Sequence, residues 1–552
     1  MRLTITGLSS QYIHLPLAPF CLRRAVEEAL PETVVTLCDL NVNETPETLL
    51  SRIMETAPEV VAVCVYIWNR PVAARLLRML RALDERIVLV VGGPEVTWSV
   101  EETFREMPCD YLLRGAGETS LPLLLRALQS GETAPETVPG LCFRTADGLR
   151  IGEVAPAPPP RDDLYDEAWQ QALQGRMAYV ETSRGCPFSC AFCLSGQREP
   201  VRFMPMEQAL ALLIRLGQSG TDTVKLIDRT FNCHHERTRY LLSGLIDARA
   251  QGRIGEVCYH LEVAADLFDD AELALLSTAP PGLFQMEAGL QSFHPETLDA
   301  CDRHTDMARL QDRLRRLIAP GNIHVHIDLI AGLPGEDFTT FGHSFDSAWQ
   351  LRPHQLQLGF LKLIHGSRLR SRDWGQRFSP DPPYEVLATP WMTYGELDRL
   401  HGCADTVERL HNSGRFARTL ALALRETGLR PFTLMLRLGD AMRARQGRWS
   451  LDHLTELVFG ELLSLGVPEG ALREALITDR LTTDNTGHLP AFLQGDGEAL
   501  KRAVRRFRDA HPALRRPRCA LLPDGTLLCA VWEDRHPVTL RCRDGELLRF
   551  RP

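Results

Sequence analysis

Two successive blocks of the chain alternate short, nearly continuous apolar runs with helix-like stretches, and this alternation restricts the fold more than any other feature. Strands that are apolar on both faces need helices on both faces, so the pattern predicts parallel sheets. In the first block the runs are 3–6, 34–37, 60–67, 87–91 and 111–113, separated by helical stretches 17–30, 46–54, 71–83, 100–107 and 118–128. A doubly wound, Rossmann-like α/β domain is expected over 1–130, with ligands at the carboxyl ends of its strands. The candidate ligand contacts there are Ser9, Tyr66, Trp68, Asn69, Gly92, Gly93, Glu95, Gly115, Gly117 and Glu118. Loops of glycine and small polar residues let backbone approach a flat or phosphate-bearing ligand, and the same composition also serves plain turns.

Residues 131–170 read as a linker. Runs 141–144 and 149–154 flank Ala146-Asp147-Gly148 as a hairpin, and Pro156-Ala157-Pro158-Pro159-Pro160 is a stiff spacer. The second block, 171–370, has candidate strands 178–182, 223–227, 257–261, 283–288, 324–330 and 356–363, with helices such as 206–218, 237–250 and 266–276. Six βα units suit a partial TIM-type barrel rather than a full one. Residues 371–552 read as a mainly helical extension, dense over 416–445 and helical to about 510, with a small β tail at 519–522, 527–532, 538–541 and 547–550. It carries no chemical motif. The basic run from Lys501 to Arg508 reads as a solvated helix face.

The formal net charge is −9, which argues against a nucleic-acid partner. No apolar run approaches the roughly 18–20 residues of a membrane helix. The start, Met1 to Gly7, lacks the apolar core of a signal peptide, so a cytoplasmic protein is expected. Fifteen cysteines, an odd number in a long chain without an export signal, argue for reduced thiols rather than a disulfide framework.

The sharpest local signal follows the first strand of the second block. Thr182-Ser183-Arg184-Gly185-Cys186-Pro187-Phe188-Ser189-Cys190-Ala191-Phe192-Cys193 carries the spacing C-x3-C-x2-C. Three thiolates on one tight loop can hold three irons of a cubane cluster and leave the fourth iron open. The strand-to-loop position puts such a cluster at the carboxyl end of a barrel, where active sites of that fold lie. Two other readings stand beside it. Zinc would need a fourth ligand, for which Cys233, His234 and His235 are nearest by sequence. The thiols could also be buried without metal. A four-cysteine ferredoxin cluster is disfavoured, since no fourth cysteine follows at regular spacing.

The segment resembles the radical S-adenosylmethionine (SAM) family, whose signature is C-x3-C-x-aromatic-C, with Phe192 as the aromatic residue. Later segments match in order: 225–232 looks like the second strand and its loop, 287–292 the fourth, 328–336 the fifth and 361–367 the sixth. His365-Gly366-Ser367 stands where Pro-Gly-Thr is common. Residues 1–130 resemble the cobalamin-binding domain that precedes this barrel in one subgroup, through Gly92-Gly93-Pro94-Glu95 and Arg114-Gly115-Ala116-Gly117-Glu118. The Asp-x-His-x-x-Gly of cobalamin mutases is missing, and His14 is the only histidine of that region. The expectation is a base-off corrin without a protein axial ligand, its lower side facing Trp68, Asn69 and Arg70. The extension resembles an uncharacterised carboxyl-terminal domain of one clade.

The resemblance implies a cobalamin-dependent radical SAM enzyme with a [4Fe-4S] cluster on Cys186, Cys190 and Cys193, SAM on the open iron, and cobalamin above the barrel mouth. It implies reductive cleavage of SAM to a 5′-deoxyadenosyl radical and, most often, methylation of an unactivated carbon in a small-molecule or peptide substrate. An external one-electron donor of the flavodoxin or ferredoxin type would be needed. A non-methylating cyclase or rearrangement enzyme and an inactive corrin carrier or sensor are the alternatives. Phe192 would lie beside the adenine, Gln291 would contact cofactor, and Gly332 and Gly335 would admit the nucleoside. Asp228, Glu287, His326 and Asp328 are candidate catalytic residues, each also readable as a member of a buried polar network.

Overall fold

The structure, a computed structural model, describes residues 1–131, 137–196, 200–445, 449–483, 487–514, 517–530 and 547–551. The chain divides into two compact units: 1–283 with 301–304 and 361–386, and 284–300 with 305–360 and 387–552.

In the first unit, β1 (Arg2–Ser9), β2 (Val34–Asn41), β3 (Val60–Cys64), β4 (Val88–Gly92) and β5 (Tyr111–Leu113) form a parallel sheet in the order β2-β1-β3-β4-β5. They alternate with α1 (Ala18–Ala29), α2 (Pro46–Met54), α3 (Arg70–Leu83), α4 (Val100–Glu106) and α5 (Gly117–Gln129). Successive side chains on a strand point to opposite faces. Val61 and Val63 accordingly pack with Leu76, Leu77 and Leu80 of α3, while Val60 and Ala62 pack with Val26 of α1 and Leu121, Leu124 and Leu125 of α5. Each such aliphatic side chain contributes about 1.5–3 kcal/mol when fully buried. The doubly wound expectation holds, and the strand order reverses beside β1, the place where sheets of this kind bind ligands.

Two details differ from the sequence reading. β3 stops at Cys64, three residues short, because Asn69 closes the loop: its Oδ1 accepts from Tyr66 N at 2.8 Å, and its Nδ2 donates to the carbonyls of Leu8 and Cys64. The hairpin of β6 (Leu141–Thr145) and β7 (Gly148–Ile151) extends the sheet, β6 pairing antiparallel with β5. Leu141 and Phe143 share the core under β5, which a separate hairpin would leave in water. The proline-rich spacer also lies on this unit, with Pro158 O accepting from Arg184 Nη1 at 3.3 Å.

The same unit holds β8 (Ala178–Val180), β9 (Thr223–Leu226) and β10 (Cys258–Val263), parallel in the order β8-β9-β10, with α6 (Met206–Gly217), α7 (His235–Ala250) and α8 (Asp270–Ser277). The second unit holds β11 (Phe284–Gln291), β12 (His324–Ala331) and β13 (Gln355–Phe360), also parallel, with α9 (Met307–Ile318) and α10 (Phe338–Gln350). All six expected βα strands are therefore present.

From residue 387 on, the extension belongs to the second unit. It contains α11 (Tyr394–Thr406), a π-helical turn Val407–Asn412, α12 (Ala417–Thr427), α13 (Pro431–Ala444), α14 (Leu451–Ser464), α15 (Glu469–Thr483) and α16 (Gly497–Ala510). An open parallel sheet ends in unpaired backbone groups that invite aggregation. Here the Asn412 amide takes the place of a missing strand: Oδ1 accepts from Leu356 N at 2.9 Å and Nδ2 donates to Leu356 O at 3.0 Å. Phe432 of α13 packs against Phe338, Phe341 and Phe345 of α10. Its backbone N donates to Asp346 Oδ1 at 2.8 Å. β14 (Arg518–Leu521), β15 (Leu527–Ala530) and β16 (Leu547–Phe550) form an antiparallel tail. Residues 531–532 and the expected run 538–541 lie outside the described residues. On α16, Ala503 and Phe507 are buried against the tail while Lys501, Arg502, Arg505, Arg506 and Arg508 are exposed, as a solvated basic face requires. No helix among the described residues is long and apolar enough to cross a membrane.

Candidate active site

The cysteine loop is built from β8 outward. Immediately after that strand, Thr182 donates from N and Oγ1 to the two oxygens of Asp228, at 2.7 and 2.6 Å. Asp228 is fully buried, and Arg237 lies 3.7 Å away, also donating to Thr182 Oγ1. Of the two readings of Asp228, the buried polar network has direct partners here: both oxygens accept from Thr182 and fix where the loop begins. Gly185 then takes φ +99°, a conformation that strains any side chain. The loop folds back on itself, so that a Cβ at Gly196 would sit 2.4 Å from Cys190 O.

The three cysteines form no disulfide; Cys190 is buried and Cys186 and Cys193 are half-buried, as is Phe192 just before Cys193. Arg303 Nη1 donates to Cys190 Sγ at 3.5 Å, and Cys186 Sγ is 3.4 Å from Thr230 Oγ1. Burial pushes the Cys190 thiol up, and the Arg303 guanidinium pulls against it. The donor set fits an iron–sulfur cluster better than zinc. Tetrahedral zinc with bonds of about 2.3 Å draws its sulfurs to about 3.8 Å from one another. Among the described residues, the groups whose ligand atoms all lie within 4.8 Å are two histidine–carboxylate sets, and the cysteine trio is not one of them. Of the proposed fourth zinc ligands, the two histidines are engaged elsewhere. His234 Nδ1 caps α7 by accepting from Arg237 N, and His235 Nδ1 pairs with Glu272 Oε1 at 3.0 Å.

Beside this loop lies a cavity of about 840 Å³ within the first unit. Its wall combines the sheet's carboxyl-end residues Ser9, Tyr66, Trp68, Gly92, Gly93, Gly115, Gly117 and Glu118 with Tyr179, Glu181, Arg184, Gly185, Lys225, Arg229 and Glu262 from β8, β9, β10 and their loops. Leu194 and Ser195, directly after Cys193, also line it. An apolar arm runs between the sheet and helices α1 and α5, past Ala18, Leu22, Ala62, Val90, Leu113 and Leu121. Tyr66 and Trp68 stack with centroids 4.5 Å apart, and Trp68, 48% exposed, is pinned by Nε1 donating to Leu8 O at 3.0 Å. Gly93 and Gly115 are glycines for a backbone reason: a Cβ would fall 2.4 Å from Val65 O at one and 2.3 Å from Ala155 O at the other. Arg184 bridges two carboxylates, Glu118 at 2.7 Å and Glu181 at 2.6 Å. Burial raises the Glu181 carboxyl and Arg184 opposes it. His14 also faces the cavity, its Nδ1 2.7 Å from Tyr179 OH, with burial and then Lys225 lowering its pKa.

Asn69, Glu95 and Arg70 are each held by protein partners. Asn69 is fully buried in the loop closure described above. Glu95 is buried with Arg70 at 3.2 Å and with the Tyr384 hydroxyl, and Arg70 reaches on to Ser99 and Glu106. A buried guanidinium must be paired, and this one spends its donors bracing α3 against α4.

In the second unit, Glu287 on β11 is paired in register with His326 on β12, and His326 Nε2 is 2.9 Å from Asp328 Oδ1. One ligand atom from each of Glu287, His326 and Asp328 lies within 4.8 Å of the others, so the structure brings these three candidates together. Gln291 ends β11 at φ +73°, with its amide folded over Gly289, where the register of β11 against β12 slips. Gly332 and Gly335 turn the chain after β12 at φ +85° and +81°.

Known sequence families divide the chain in the same order. Residues 3–125 match the B12 binding domain, 180–348 the radical SAM superfamily, and 372–516 a protein family of unknown function, DUF4080. The chain joins a B12-binding domain to a radical SAM domain. This B12-binding radical SAM chain is 25% identical over 414 residues to the 2-(S-pantetheinyl)-carbapenam-3-carboxylate methyltransferase of Streptantibioticus cattleyicolor, covering 67% of this chain and 59% of that protein. It is 25% identical over 328 residues to the anaerobic magnesium-protoporphyrin IX monomethyl ester cyclase of Cereibacter sphaeroides, covering 56% and 52%. It thus spans between half and three-fifths of the length of these curated relatives. The cobalamin-dependent SAM radical enzyme OxsB, solved with aqua-cobalamin and SAM bound, shares the fold with a TM-score of 0.60 at 14% identity, over 87% of this chain and 78% of that one.

The radical SAM domain contains a further buried carboxyl that residue type alone did not single out. Glu336 Oε1 accepts from Ser292 Oγ at 2.7 Å and Ser344 Oγ at 2.8 Å, while Oε2 meets no donor among the described residues. Burial pushes its pKa up to about 7, against the pull of the two hydroxyls. Its folded value lies above the ordinary one, so its stability contribution is fully present below about pH 4.5 and is lost as pH rises through 7. Glu336→Gln is expected to flatten the pH dependence of the denaturation midpoint between pH 5 and 8, a span of about 3 kcal/mol at most. An unchanged slope in the variant would contradict this.

Proposed function

We propose that the protein is a cobalamin-dependent radical SAM enzyme that methylates an unactivated carbon. The observation that carries this reading is the single cavity walled by both the sheet's carboxyl-end loops and the β8–β10 loops, bordered by Gly185, Leu194 and Ser195 on either side of the three thiols. When bound, the cluster supplies one electron for cleavage of SAM and the corrin carries the methyl group. The chain supplies position and electrostatics. Cys186, Cys190 and Cys193 would ligate three irons. Thr182, Asp228 and Arg237 fix the start of their loop. The Trp68–Tyr66 stack offers aromatic surface, not a metal ligand, to the corrin's lower side. His14 keeps its Nδ1 on Tyr179, which supports a corrin without an imidazole ligand from that atom. Phe192, Gln291, Gly332 and Gly335 would hold the nucleoside. Glu287, His326 and Asp328, brought together on β11 and β12, would offer polar groups to the substrate. The reading requires an external one-electron donor.

Similarity to a ring-forming cyclase favours non-methylating chemistry as the second reading. Anaerobic reconstitution with iron, sulfide and cobalamin, followed by dithionite and methyl-labelled SAM, separates the two. The methylation reading expects 5′-deoxyadenosine together with label on the corrin. Label confined to methionine favours the second reading, and no 5′-deoxyadenosine from cluster-loaded protein overturns both.

A further inference from the structure

We propose that Cys519 and Cys529 are a redox-active dithiol, the site at which a low-molecular-weight disulfide oxidises this chain. The two stand directly opposite each other on β14 and β15, whose antiparallel register pairs Arg518 with Ala530, Cys519 with Cys529 and Leu521 with Leu527. Along such a ladder, pairs that exchange backbone hydrogen bonds alternate with pairs that do not. At the turn Leu522 N donates to Thr526 O at 2.8 Å, one step beyond Leu521 and Leu527. By alternation, Leu521 with Leu527 and Cys519 with Cys529 are pairs of the second kind. Such pairs bring side chains closest and hold their Cα atoms about 4.5 Å apart, within the roughly 4.4–6.8 Å that a disulfide spans. Both thiols face the same way: Cys529 belongs to the core formed with Leu527 and with Phe507 of α16, and Cys519 packs against that core. Closing the bond therefore needs side-chain rotation and no new path for the backbone.

The two thiols are unequal, as an attacking and a resolving cysteine must be. Cys519 is half-buried and reachable, and Cys529 is fully buried behind it. A hydrogen bond from the Cys529 thiol holds the Cys519 thiol below its ordinary pKa, against burial and with help from the Arg508 guanidinium on the basic face of α16. The same hydrogen bond, with burial, raises the Cys529 thiol. Burial alone governs thiols such as Cys64 and Cys403, which are pushed up. Oxidation then runs in two exchanges. The Cys519 thiolate attacks one sulfur of the small disulfide; a new S–S bond forms, the old one breaks, and half of the oxidant leaves as a thiol with the proton that Cys519 gave up. In that mixed disulfide the Cys519 charge that raises Cys529 is gone. Cys529 gives up its proton and attacks Cys519 Sγ, and the second half of the oxidant leaves as a thiol with that proton. Two protein thiols are oxidised, one small disulfide is reduced to two thiols, and no other reactant is needed.

The reconstituted full chain is incubated anaerobically with glutathione disulfide, quenched, alkylated with N-ethylmaleimide and digested with trypsin. Cleavage after Arg518 and Arg535 leaves both cysteines in peptide 519–535, with Cys542 in another. That peptide should appear without adducts and lighter by two hydrogens, and should return to its doubly alkylated form after dithiothreitol. It should convert at least about tenfold faster than the buried Cys142 and Cys403 take up glutathione. In Cys529→Ala a glutathione adduct should stay on Cys519, and in Cys519→Ser Cys529 should react as slowly as Cys142. The oxidised chain should melt no lower than the reduced one, because the bond joins residues already paired in the folded hairpin. Four outcomes overturn the proposal: a doubly alkylated peptide after the oxidant, a glutathione adduct that persists on Cys519 in the unaltered chain, a bond from either cysteine to Cys542, or an oxidised chain that melts lower.

Discussion

Cys190→Ala is expected to lower reductive SAM cleavage by about 1000-fold or more and to reduce iron loading of the reconstituted protein. Cys190 is the buried member of the trio, and the group that reaches its sulfur, the Arg303 guanidinium, is a cation that cannot replace the lost ligand. A cubane held by two thiolates has two open irons, and the site that should bind SAM through one iron loses its definition. Iron and sulfide analysis alongside 5′-deoxyadenosine formation reads the two consequences together. Cys142→Ala is the matched control. Cys142 is also fully buried, but it packs under the sheet of the B12-binding domain, its sulfur facing Gly140 O at 3.7 Å. Iron content and cleavage should be unchanged there. Full cleavage by Cys190→Ala, or equal losses in both variants, would show that the trio is not the cluster site.

Much of this arrangement is legible in the residues themselves. Periodicity locates the strands of both blocks: central strands such as β3 are buried on both faces, while β11 and β12 alternate an apolar face with one that carries Glu287, His326 and Asp328. The cysteine spacing is equally readable, since three ligands on one loop need no knowledge of distant chain. The residues that periodicity and spacing leave open share one feature. Asn69, Glu95 and Asp228 sit at strand ends, where ligand contacts and loop braces use the same residue types. Only the partners decide between them: Leu8 and Cys64 carbonyls for Asn69, Arg70 and Tyr384 for Glu95, Thr182 for Asp228. Arg184, Glu181 and Lys225 line the cavity but carry no local signal, because charged residues in a strand or at its end are commonplace and their meeting with Glu118 spans more than sixty residues of chain. The role of Asn412 as a side-chain substitute for a strand is likewise invisible until β13 is seen to be an edge.

The second large effect is expected from Arg184→Ala. Arg184 joins Glu118, in the first turn of α5, to Glu181, at the end of β8, across a cavity wall where all three side chains are less than one-fifth exposed. Removing the guanidinium leaves two carboxylates facing each other with little solvent, which costs about 3 kcal/mol. Glu181, whose carboxyl burial already raises against the pull of Arg184, then favours its protonated form further. The deficit should be full near neutral pH and should shrink as pH falls and that carboxyl is protonated. Arg184→Lys restores one charge but cannot reach both carboxylates, so it should recover only part of the loss. On the proposed function, cobalamin affinity should weaken about tenfold in Arg184→Ala, since Arg184 lines the cavity that would hold it. Iron loading should survive, because Thr182, Asp228 and Arg237 still anchor the start of the cysteine loop. Thermal melting across pH 4.5 to 8, cobalamin titration and iron analysis read the three consequences separately. Unchanged melting at pH 7 would show that the bridge contributes nothing to holding the two walls together, and loss of iron would show that Arg184 belongs to the cluster site instead.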